Sequence, residues 1–460
     1  MAYLIKCPYC FHDPYDANEV HFRAATNKHI QKSNIPGAPS DRVVESMIED
    51  TRLVAYYKRY QKRPSPVKPV IDPTGKETGN EYIKLANIEE PLHFDEDGVL
   101  DQVVDEFGET STTRLCPYCH NELPRYAGRA QGYNISFAGD TAVGKTLYLN
   151  VLIHQLRLIA PKFSAVMMAT NTDIEKLYRE KYEMPLFPHT SDQPAMLPVH
   201  TDKDSMIEPL IYEMVFRDKH NPKNNKVVTL SFFDAAGEGM HDADYINTRS
   251  RALRNADAYL YLIDPLQTES AERIMQNNEE AKNNFIQGRD SAVNILESFF
   301  AAGIDYTHTP TAFILTKSDI IKSSDEMKSL LGPQNPIFLD YIYDKGYLEL
   351  DEIDRISNAV RDFFTIADEH FKNVIELMFE DYKYFAVSAL GGPTEKIMSP
   401  DGKEKGKKLV SNVVTPYRVV EPFLWILYRL GIIDDHEYIA PPEPVKKTFF
   451  EKIFGSNKHK

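Results

Sequence analysis

Gly139-Asp140-Thr141-Ala142-Val143-Gly144-Lys145-Thr146 decides the fold, because this stretch fills the pattern G-x-x-x-x-G-K-[ST] at every fixed position. The glycines let the backbone turn its N–H groups inward around the phosphates of a nucleotide. In such a loop Lys145 reaches the β and γ oxygens, and Thr146 binds Mg²⁺. The alternating residues 133–137 predict a strand before the loop, and residues 147–158 predict a helix after it. The sequence therefore predicts a phosphate-binding loop.

A carboxylate for the metal site follows the β-prone run 227–233. A buried parallel strand over this run would deliver Asp234 to the carboxyl edge of the sheet, so Asp234 is the predicted acid of the Mg²⁺ site. It opens the run Asp-Ala-Ala-Gly-Glu, in which Gly237 can place its backbone N–H against a γ-phosphate. We therefore predict that Gly237 senses the γ-phosphate.

The motif Thr316-Lys317-Ser318-Asp319 comes next, after predicted strands at 259–263 and 312–315. The Asp319 carboxylate can accept hydrogen bonds from N1–H and from the 2-amino group of guanine, a donor pair that adenine lacks. The Lys317 stem can lie across the ring. This motif predicts selection of guanine over adenine.

A last predicted strand, 384–387, leads into Ser388-Ala389-Leu390, which is placed to bring backbone groups near the guanine oxygen. In this order GDTAVGKT, DAAGE, TKSD and SAL resemble the P-loop GTPases of the Ras-like and translation-factor class, over residues 133–430. The chain looks most similar to bacterial GTPases, including the double-GTPase families, that carry a cysteine-pair module just before the P-loop and occur in regulatory or biological-conflict gene neighbourhoods. The resemblance implies an α/β P-loop GTPase fold with a mostly parallel sheet flanked by helices, GTP or GDP and Mg²⁺ as ligands, and GTP hydrolysis.

The residue after Gly237 departs from the resemblance. Ras-like enzymes carry glutamine there to orient the attacking water, whereas this chain has Glu238. Glu238 could act as a weak base, contact a partner or only face water, and His241 is a second candidate. A switch threonine is expected in the proline-rich loop 185–205, with Thr190 as first choice and Thr201 as second. The predicted catalytic residues are Lys145, Thr190 and Glu238.

A helical pattern after the predicted switch carries Arg249, Arg251 and Arg254. One of these arginines could serve as an internal arginine finger, although most such side chains only face water. We therefore expect slow intrinsic hydrolysis that a partner or dimerisation accelerates.

Two spacings are longer than in a minimal Ras-like domain. About 95 residues separate Gly139 from Asp234, and about 70 separate Lys317 from Ser388. Residues 272–300 and 326–379 have helical apolar spacing, so we expect surface helices there, where partners would be recognised.

The chain has four cysteines, in the units Cys7-Pro8-Tyr9-Cys10 and Cys116-Pro117-Tyr118-Cys119. Two such knuckles supply four thiolates for a tetrahedral structural zinc site, which would close over the long insertion 11–115. The competing interpretation is a redox pair, because CPYC also occurs in glutaredoxin-like proteins, but neither copy opens a helix in a visible βαβ unit. His120 could replace a ligand.

Composition limits the partners and the compartment. The 460 residues include 53 Lys and Arg against 68 Asp and Glu, and the net charge of −15 opposes general nucleic-acid binding. No apolar run reaches the roughly 18 to 20 residues that span a bilayer, and Lys6 and Cys7 interrupt any signal-peptide pattern. We expect a cytoplasmic protein, whose reduced thiols suit metal ligation.

We predict three parts: a zinc-ribbon-like module at 1–130, a GTPase domain at 131–435 and a flexible basic and aromatic tail at 436–460. Within them, the acidic stretch 93–109 is interpreted as a solvated face, 391–408 as a mobile segment, and 419–430 as a core helix containing Trp425. The tail could touch a partner groove or an anionic membrane.

These features favour a GTP-binding and GTP-hydrolysing molecular switch. Its expected partners are protein effectors, an activating protein, or a second GTPase chain or a homodimer. One alternative is a self-assembling remodelling or motor NTPase, and another is a nucleotide-binding pseudo-GTPase scaffold. A role in biological conflict or defence rests on the resemblance alone.

Overall fold

A seven-stranded sheet lies at the centre of the described residues in a computed structural model of the protein. The structure describes residues 2–22, 67–71, 77–82, 89–104, 110–119, 121–140, 142–188, 194–197, 210–217, 225–234, 251–285, 292–304, 306–339, 341, 343–398 and 404–436. The strands of these residues are β1 (His21–Phe22), β2 (Val67–Ile71), β3 (Glu77–Tyr82), β4 (Glu89–Phe94), β5 (Leu100–Val104), β6 (Thr110–Ser111), β7 (Arg114–Leu115), β8 (Gly132–Ala138), β9 (Ala165–Ala169), β10 (Leu210–Phe216), β11 (Lys226–Asp234), β12 (Ala258–Ile263), β13 (Thr311–Leu315), β14 (Tyr382–Ala386), β15 (Thr394–Met398) and β16 (Glu404–Leu409).

The helices of the same residues mostly follow these strands in alternation. They are α1 (Lys145–Ile159), α2 (Thr172–Tyr178), α3 (Met184–Leu186), α4 (Arg251–Arg254), α5 (Ala271–Met275), α6 (Glu279–Asn284), α7 (Ala292–Ala301), α8 (Ser318–Lys322), α9 (Asp325–Leu331), α10 (Leu350–Ala367), α11 (Glu369–Met378) and α12 (Glu421–Arg429). A π-helical turn, Arg179–Glu183, joins α2 to α3. None of the described helices is both long enough and apolar enough to cross a bilayer.

The central sheet has the order β14-β13-β12-β8-β11-β10-β9. Its strands β14, β13, β12, β8 and β11 run parallel, whereas β10 is antiparallel to both β11 and β9. Every residue of β12 and β13 is buried, which is typical of parallel strands covered on both faces. The predicted α/β fold with a mostly parallel sheet is confirmed, and each predicted strand of this sheet lies within two residues of its observed bounds.

Several helices pack on this sheet, and those predicted from the apolar periodicity of the sequence are present. The phosphate-loop helix α1 contacts β11 and β9, and α10 packs against β14. The predicted core helix at 419–430 is confirmed as α12, which packs on β12 and β13 with Trp425 buried. The predicted helices at 272–300 and 326–379 are also present, as α5 to α7 and α9 to α11.

The two cysteine units lie on small antiparallel elements. Strand β1 pairs with β7, so the start of the chain lies beside residues that follow almost a hundred positions later. Isolated bridges join Ile5 to Tyr15 around the first unit and Leu115 to Glu122 around the second. Apolar residues of β5, including Val103, pack into the same small core. The pairing of β1 with β7 therefore closes the long insertion that the sequence predicts.

The acidic stretch is more than a solvated face. Asp95 accepts a hydrogen bond from Arg129 Nε at 2.5 Å, and Asp101 lies 3.7 Å from Arg129 Nη2. The charge of Arg129 and three hydrogen bonds lower the pKa of Asp95, against the opposing effect of its burial. This part of the interpretation is corrected: Asp95 of the turn between β4 and β5 and Asp101 of β5 both lie against Arg129 and fasten this hairpin to the end of the cysteine module.

The structure also differs from the mobile segment predicted at 391–408. Strands β15 and β16 form an antiparallel hairpin there, and Met196 bridges to Lys408 on its outer strand. The N–H of Leu197 donates to the Lys407 carbonyl at 2.9 Å, and the N–H of Leu409 donates to the Ala195 carbonyl at 3.0 Å. The backbone hydrogen bonds of a distant segment thus hold a glycine- and lysine-rich sequence that has little apolar signal of its own.

Candidate functional site

The phosphate-loop sequence connects β8 to α1. Gly139, Ala142 and Gly144 have φ angles of +133°, +62° and +95°, so the backbone passes through left-handed conformations before the helix begins. Within the described residues, no side chain caps the first turn of α1. The N–H groups of its first turn and its dipole make this helix start suited to an anion.

Lys145 begins α1 and is buried. Its Nζ donates to the carbonyl oxygens of Gly139 at 2.9 Å and of Asp140 at 2.8 Å. Phosphate oxygens would be stronger acceptors for this ammonium than neutral carbonyls. Thr146 is the next residue of the same helical turn, and its carbonyl oxygen accepts from Asn150 Nδ2 at 2.6 Å.

The end of β11 lies beside the start of this loop. Asp234 is in register with Phe137 of the neighbouring parallel strand β8, two residues before Gly139. This is the backbone position predicted for the acid of the Mg²⁺ site. The other phosphate-side residues named from the sequence lie outside the described residues: Thr141, Thr190, Thr201, Gly237, Glu238, His241 and Arg249.

Two side chains of the Thr316-to-Asp319 motif reach the phosphate loop directly. The Thr316 hydroxyl lies 3.0 Å from the carbonyl oxygens of Val143 and Ile263. Lys317 Nζ donates to the carbonyl oxygen of Ala142 at 3.1 Å. The phosphate loop and the Thr316-to-Asp319 motif lie about 170 residues apart in sequence, and strands β8, β12 and β13 bring them to one edge of the sheet.

Asp319 and Ser388 meet on the far side of this motif. The Ser388 hydroxyl donates to the Asp319 carboxylate and accepts the N–H of Gly391 at 2.9 Å. Burial raises the pKa of Asp319, and the hydrogen bond from Ser388 and the charge of Lys317 oppose the rise. A carboxylate that is costly to bury gains from further N–H donors, as a guanine edge would supply. Ala389 follows Ser388 and is half-buried.

Three residues that the sequence interpretation missed complete this edge. Asp264 follows β12, is fully buried, and accepts a hydrogen bond from Lys317 Nζ at 2.6 Å. Gln267 donates from Nε2 to Asp140 of the phosphate loop at 2.6 Å. Tyr417 pairs its backbone with Ser388 in both directions. Asp264 carried a detectable signal, because it ends an apolar strand as Asp234 does, whereas Gln267 and Tyr417 carried none.

The structure describes the side chain of only one of the three arginine candidates. Arg254 is exposed on α4, and only the backbone of Arg251 is described. The finger assignment therefore stays a prediction.

Comparison with known proteins agrees with this arrangement. The sequence profile of the Double-GTPase 2 family matches residues 134–364, which is half of the chain. The chain belongs to the Double-GTPase 2 family. Membership identifies it as a P-loop, GTP-binding regulatory protein, as the resemblance predicts.

Among relatives of this Double-GTPase 2 chain, "Putative ESX-1 scaffolding and assembly protein SaeC" of Mycolicibacterium smegmatis is 23% identical over 338 residues, covering 71% of this chain and 82% of that protein. The GTPase-like domain of Ski7 from S. cerevisiae, solved with GDP and inorganic phosphate, is 15% identical, with a TM-score of 0.27, over 57% of this chain and 44% of that one. Elongation factor SelB from Methanococcus maripaludis is 15% identical, with a TM-score of 0.18, over 54% and 34%. This chain thus spans less than half the length of either solved chain.

A second candidate site in this Double-GTPase 2 chain is the cysteine cluster. All four sulfur atoms lie within 4.8 Å of one another and are buried. Two sulfur pairs join the two units: Cys7 to Cys119 at 3.7 Å and Cys10 to Cys116 at 3.8 Å. Zinc–sulfur bonds of about 2.3 Å in a regular tetrahedron place sulfurs about 3.8 Å apart, whereas a disulfide joins them at about 2.0 Å. The donor set and its spacing therefore fit a tetrahedral Zn²⁺ better than a dithiol redox pair.

One polar neighbour supports the same cluster. Asn121 Nδ2 lies 3.2 Å from Cys119 Sγ, and the Asn121 carbonyl accepts the N–H of Cys116 at 3.0 Å. Donors of this kind orient sulfur ligands around a metal. His120, named from the sequence as a substitute ligand, lies outside the described residues.

The cysteine hairpins also contact the residues that precede β12. Asn255 Nδ2 donates to the carbonyl oxygen of Phe11 at 2.8 Å, within the turn that carries Cys7 and Cys10. The ammonium of Lys6 pairs with Asp257, whose other oxygen accepts the N–H of Asn134 at 2.8 Å. The cluster is thus fastened to the central sheet at the strand that leads into the phosphate loop.

Proposed function

We propose that this GTP-binding protein is a GTP-hydrolysing molecular switch. The observation that carries the proposal is the hydrogen bond of Lys317 Nζ to the Ala142 carbonyl oxygen, 3.1 Å long, which ties the predicted guanine motif to the phosphate loop. A phosphate loop alone suits ATP as well as GTP. A base-reading carboxylate fastened beside it suits GTP.

Guanine recognition is assigned to four residues of the base side. Asp319 would accept the N1–H and the 2-amino group, and the Lys317 stem would cover the ring, with Thr316 holding the motif against the phosphate loop. Ser388 supports this assignment because its hydroxyl holds the half-buried Asp319 carboxylate in place. Backbone groups of Ser388 and Ala389 would face the guanine oxygen.

The phosphate side would bind charge and position water. Backbone N–H groups of residues 139–146 and the Lys145 ammonium would hold the β and γ oxygens. Thr146 and Asp234 would hold Mg²⁺, which when bound neutralises charge that develops on the phosphates. Gly237 would report the γ-phosphate through its N–H.

Catalysis is assigned to residues that would form a complete catalytic site when a partner binds. Thr190 would close on the γ-phosphate, and Glu238 would contact the attacking water in place of the glutamine of Ras-like enzymes. With glutamate at this position, we propose that turnover is slow until a protein partner, a second GTPase chain or a second copy of this chain engages. The name of the mycobacterial relative, a scaffolding and assembly protein, supports protein partners of some kind.

The cysteine cluster is proposed as a structural Zn²⁺ site. Cys7, Cys10, Cys116 and Cys119 would ligate the ion, which supplies a covalent-like crosslink between two hairpins that share a small core. The burial of all four sulfurs supports a structural role over a redox role.

The test is nucleotide binding and hydrolysis on the full chain with GTP and with ATP. The variants are Lys145→Ala, Asp319→Ala and Glu238→Ala, with Asp325→Ala as the matched control because Asp325 is an exposed aspartate at the start of the neighbouring helix α9. Two hydrogen bonds to a carboxylate correspond to a preference of about 100-fold or more for GTP. Asp319→Ala should remove that preference, and Lys145→Ala should abolish binding.

Each outcome separates one candidate function from another. Equal use of ATP and GTP, unchanged in Asp319→Ala, would assign the chain to P-loop ATPases. Tight GTP binding without turnover in any condition would favour a pseudo-GTPase scaffold. Turnover stimulated by self-assembly beyond a dimer would favour a remodelling NTPase, and turnover lost in Glu238→Ala would support the switch with Glu238 as a catalytic residue.

A further inference from the structure

We propose that Asp264 is a positioning residue for guanine recognition, which holds the Lys317 ammonium away from Asp319. This inference rests on the proposed function and adds a residue to it that no motif contains. Asp264 lies 53 residues before Lys317 in the sequence, at the end of the strand between the phosphate-loop strand and the strand that precedes the base-reading motif.

The contacts of Asp264 fix its carboxylate completely. Its side chain has no exposed surface, and its Oδ1 accepts the N–H of Leu266 at 3.0 Å, which caps the turn Pro265–Gln267. Its Oδ2 accepts from Lys317 Nζ at 2.6 Å. A carboxylate buried in this way needs a positive partner, and Lys317 supplies it.

The ammonium of Lys317 is consequently held at two points. It donates to Asp264 and to the Ala142 carbonyl, while the backbone of Lys317 starts α8 with a φ of +48°. When both ends of a flexible four-carbon stem are fixed, its path is fixed before any ligand arrives. The stem that is proposed to cover the base is therefore ordered by a residue that does not touch the base.

Two carboxylates compete for this one ammonium. Asp319 lies two residues after Lys317, and the charges of both Lys317 and Asp264 act on its carboxylate. Without Asp264, the ammonium could turn to Asp319 and occupy the oxygens that are proposed to read guanine. The bond to Asp264 therefore keeps those acceptors available to the base.

The capped turn adds a second link. Gln267, at the end of the turn that Asp264 caps, donates to Asp140 of the phosphate loop at 2.6 Å. Asp264 thus connects the two motifs in different ways: its Oδ2 accepts directly from Lys317, whereas its Oδ1 caps the turn whose Gln267 contacts the phosphate loop.

The experiment compares GDP with IDP, because inosine lacks only the 2-amino group that Asp319 is proposed to accept. Dissociation constants of both are measured by titration calorimetry on the full chain in Mg²⁺, for the native protein and for Asp264→Asn. An amide has only one acceptor oxygen, so the variant loses one of the two bonds. We expect GDP to bind about 10- to 100-fold more weakly, the fold-change that corresponds to one charged hydrogen bond. We also expect a smaller ratio of GDP affinity to IDP affinity.

Further variants separate positioning from a loss of structure. Asp264→Glu, which keeps the charge, should retain the GDP-to-IDP ratio even where affinity falls. In a Lys317→Met background, Asp264→Asn should cause no further change in the ratio of GDP affinity to IDP affinity, because Asp264 acts through Lys317. Asp368→Asn is the matched control, since Asp368 is another buried aspartate that caps a helix, α11, and its partners are Phe371 and Glu269 rather than Lys317.

Three results would overturn the inference. These are an unchanged ratio of GDP affinity to IDP affinity in Asp264→Asn, full additivity of Asp264→Asn and Lys317→Met in their effects on that ratio, or the same change of ratio in Asp368→Asn. If Asp264→Asn does not fold, the ratio in Asp264→Glu and the single variant Lys317→Met decide: a ratio lost in Asp264→Glu but kept in Lys317→Met contradicts the proposal. A native chain that binds neither GDP nor GTP would instead refute the proposed function itself.

Discussion

Two glycines of the phosphate loop should respond very differently to alanine. At Gly139, a Cβ would lie within 3.0 Å of the Leu262 carbonyl oxygen, and 3.3 Å from both the Leu262 carbonyl carbon and Val143 Cγ2. At Gly144, no heavy atom of the described residues lies within 4 Å of such a Cβ. Both positions have positive φ, +133° and +95°. The pair therefore separates steric conflict from backbone strain alone.

The size of the difference follows from these contacts. Positive φ costs an alanine about 1 to 3 kcal/mol at either position. At Gly139 the neighbour is backbone of the buried strand β12, which cannot rotate away, and overpacking of this kind costs about a further 1 to 3 kcal/mol. A difference of about 2 kcal/mol in the free energy of unfolding corresponds to about 4 to 8 °C in Tm for a domain of ordinary size.

The measurement is the Tm of nucleotide-free protein by calorimetry, so that lost nucleotide binding does not contribute. The variants are Gly139→Ala and Gly144→Ala, with Gly98→Ala as control, because Gly98 has a φ of +79° and open space but lies in the turn between β4 and β5. Gly144→Ala should resemble Gly98→Ala. A Tm for Gly139→Ala equal to or above that of Gly144→Ala would refute the reasoning.

Three further predictions follow from other parts of the structure. Burial raises the pKa of Glu421 to about 7, against the opposing charge of Arg418, so the folded state holds this proton more tightly than the unfolded state. The resulting stability is full below about pH 4.5 and is lost as the pH rises towards 7, so the native protein should lose Tm relative to Glu421→Gln between these values; parallel pH profiles would contradict this. A chelator should remove one zinc ion per chain, measured by elemental analysis, and should lower the temperature of the first unfolding transition on heating. The variant Cys10→Ser should contain no zinc before any chelator is added. Asp257→Asn should lower the free energy of unfolding by no more than about 1 kcal/mol, because the ion pair of Asp257 with Lys6 is partly exposed and solvent weakens it. A loss of several kcal/mol, measured by calorimetry, would contradict this.

The central strands could be predicted because burial on both faces leaves a strong local pattern. Strand β12 is an unbroken apolar and aromatic run, and its residues are buried throughout. Strand β14 starts two residues earlier than predicted, at Tyr382, because pairing with β13 continues past the apolar run. The bounds of a strand depend on its partner, whereas its existence depends on its own sequence.

Elements that depend on distant pairing could not be predicted in the same way. Strand β9, Ala165–Ala169, is short and lies at the edge of the sheet among the described strands, where it pairs with β10, more than forty residues later. The hairpin of β15 and β16 has a composition typical of a loop, and its added bridge comes from Met196, about 200 residues earlier. In both cases the hydrogen bonds are supplied by residues that no local window contains.

The candidate site shows the same division. Lys317 and Asp319 could be predicted as site residues because their motif carries its chemistry in four consecutive residues. Asp264 was missed although it ends an apolar strand, because an aspartate before a proline is also an ordinary turn residue and nothing local indicates that Lys317 lies against it. The cysteines were found from their repeated unit, but the way their site closes was not, since that depends on the pairing of β1 with β7.

The phosphate loop is restrained before any nucleotide arrives. Its carbonyl groups accept hydrogen bonds from Lys145, at Gly139 and Asp140, and from two residues of the base-reading motif, Thr316 and Lys317. The bonds of Lys145 compete with phosphate, because its ammonium would exchange neutral acceptors for charged ones. Those of Thr316 and Lys317 do not, since they leave the phosphate side of the loop unchanged. In the proposed function, these two bonds would therefore lower the ordering cost of every nucleotide that fits the base side, whatever its number of phosphates.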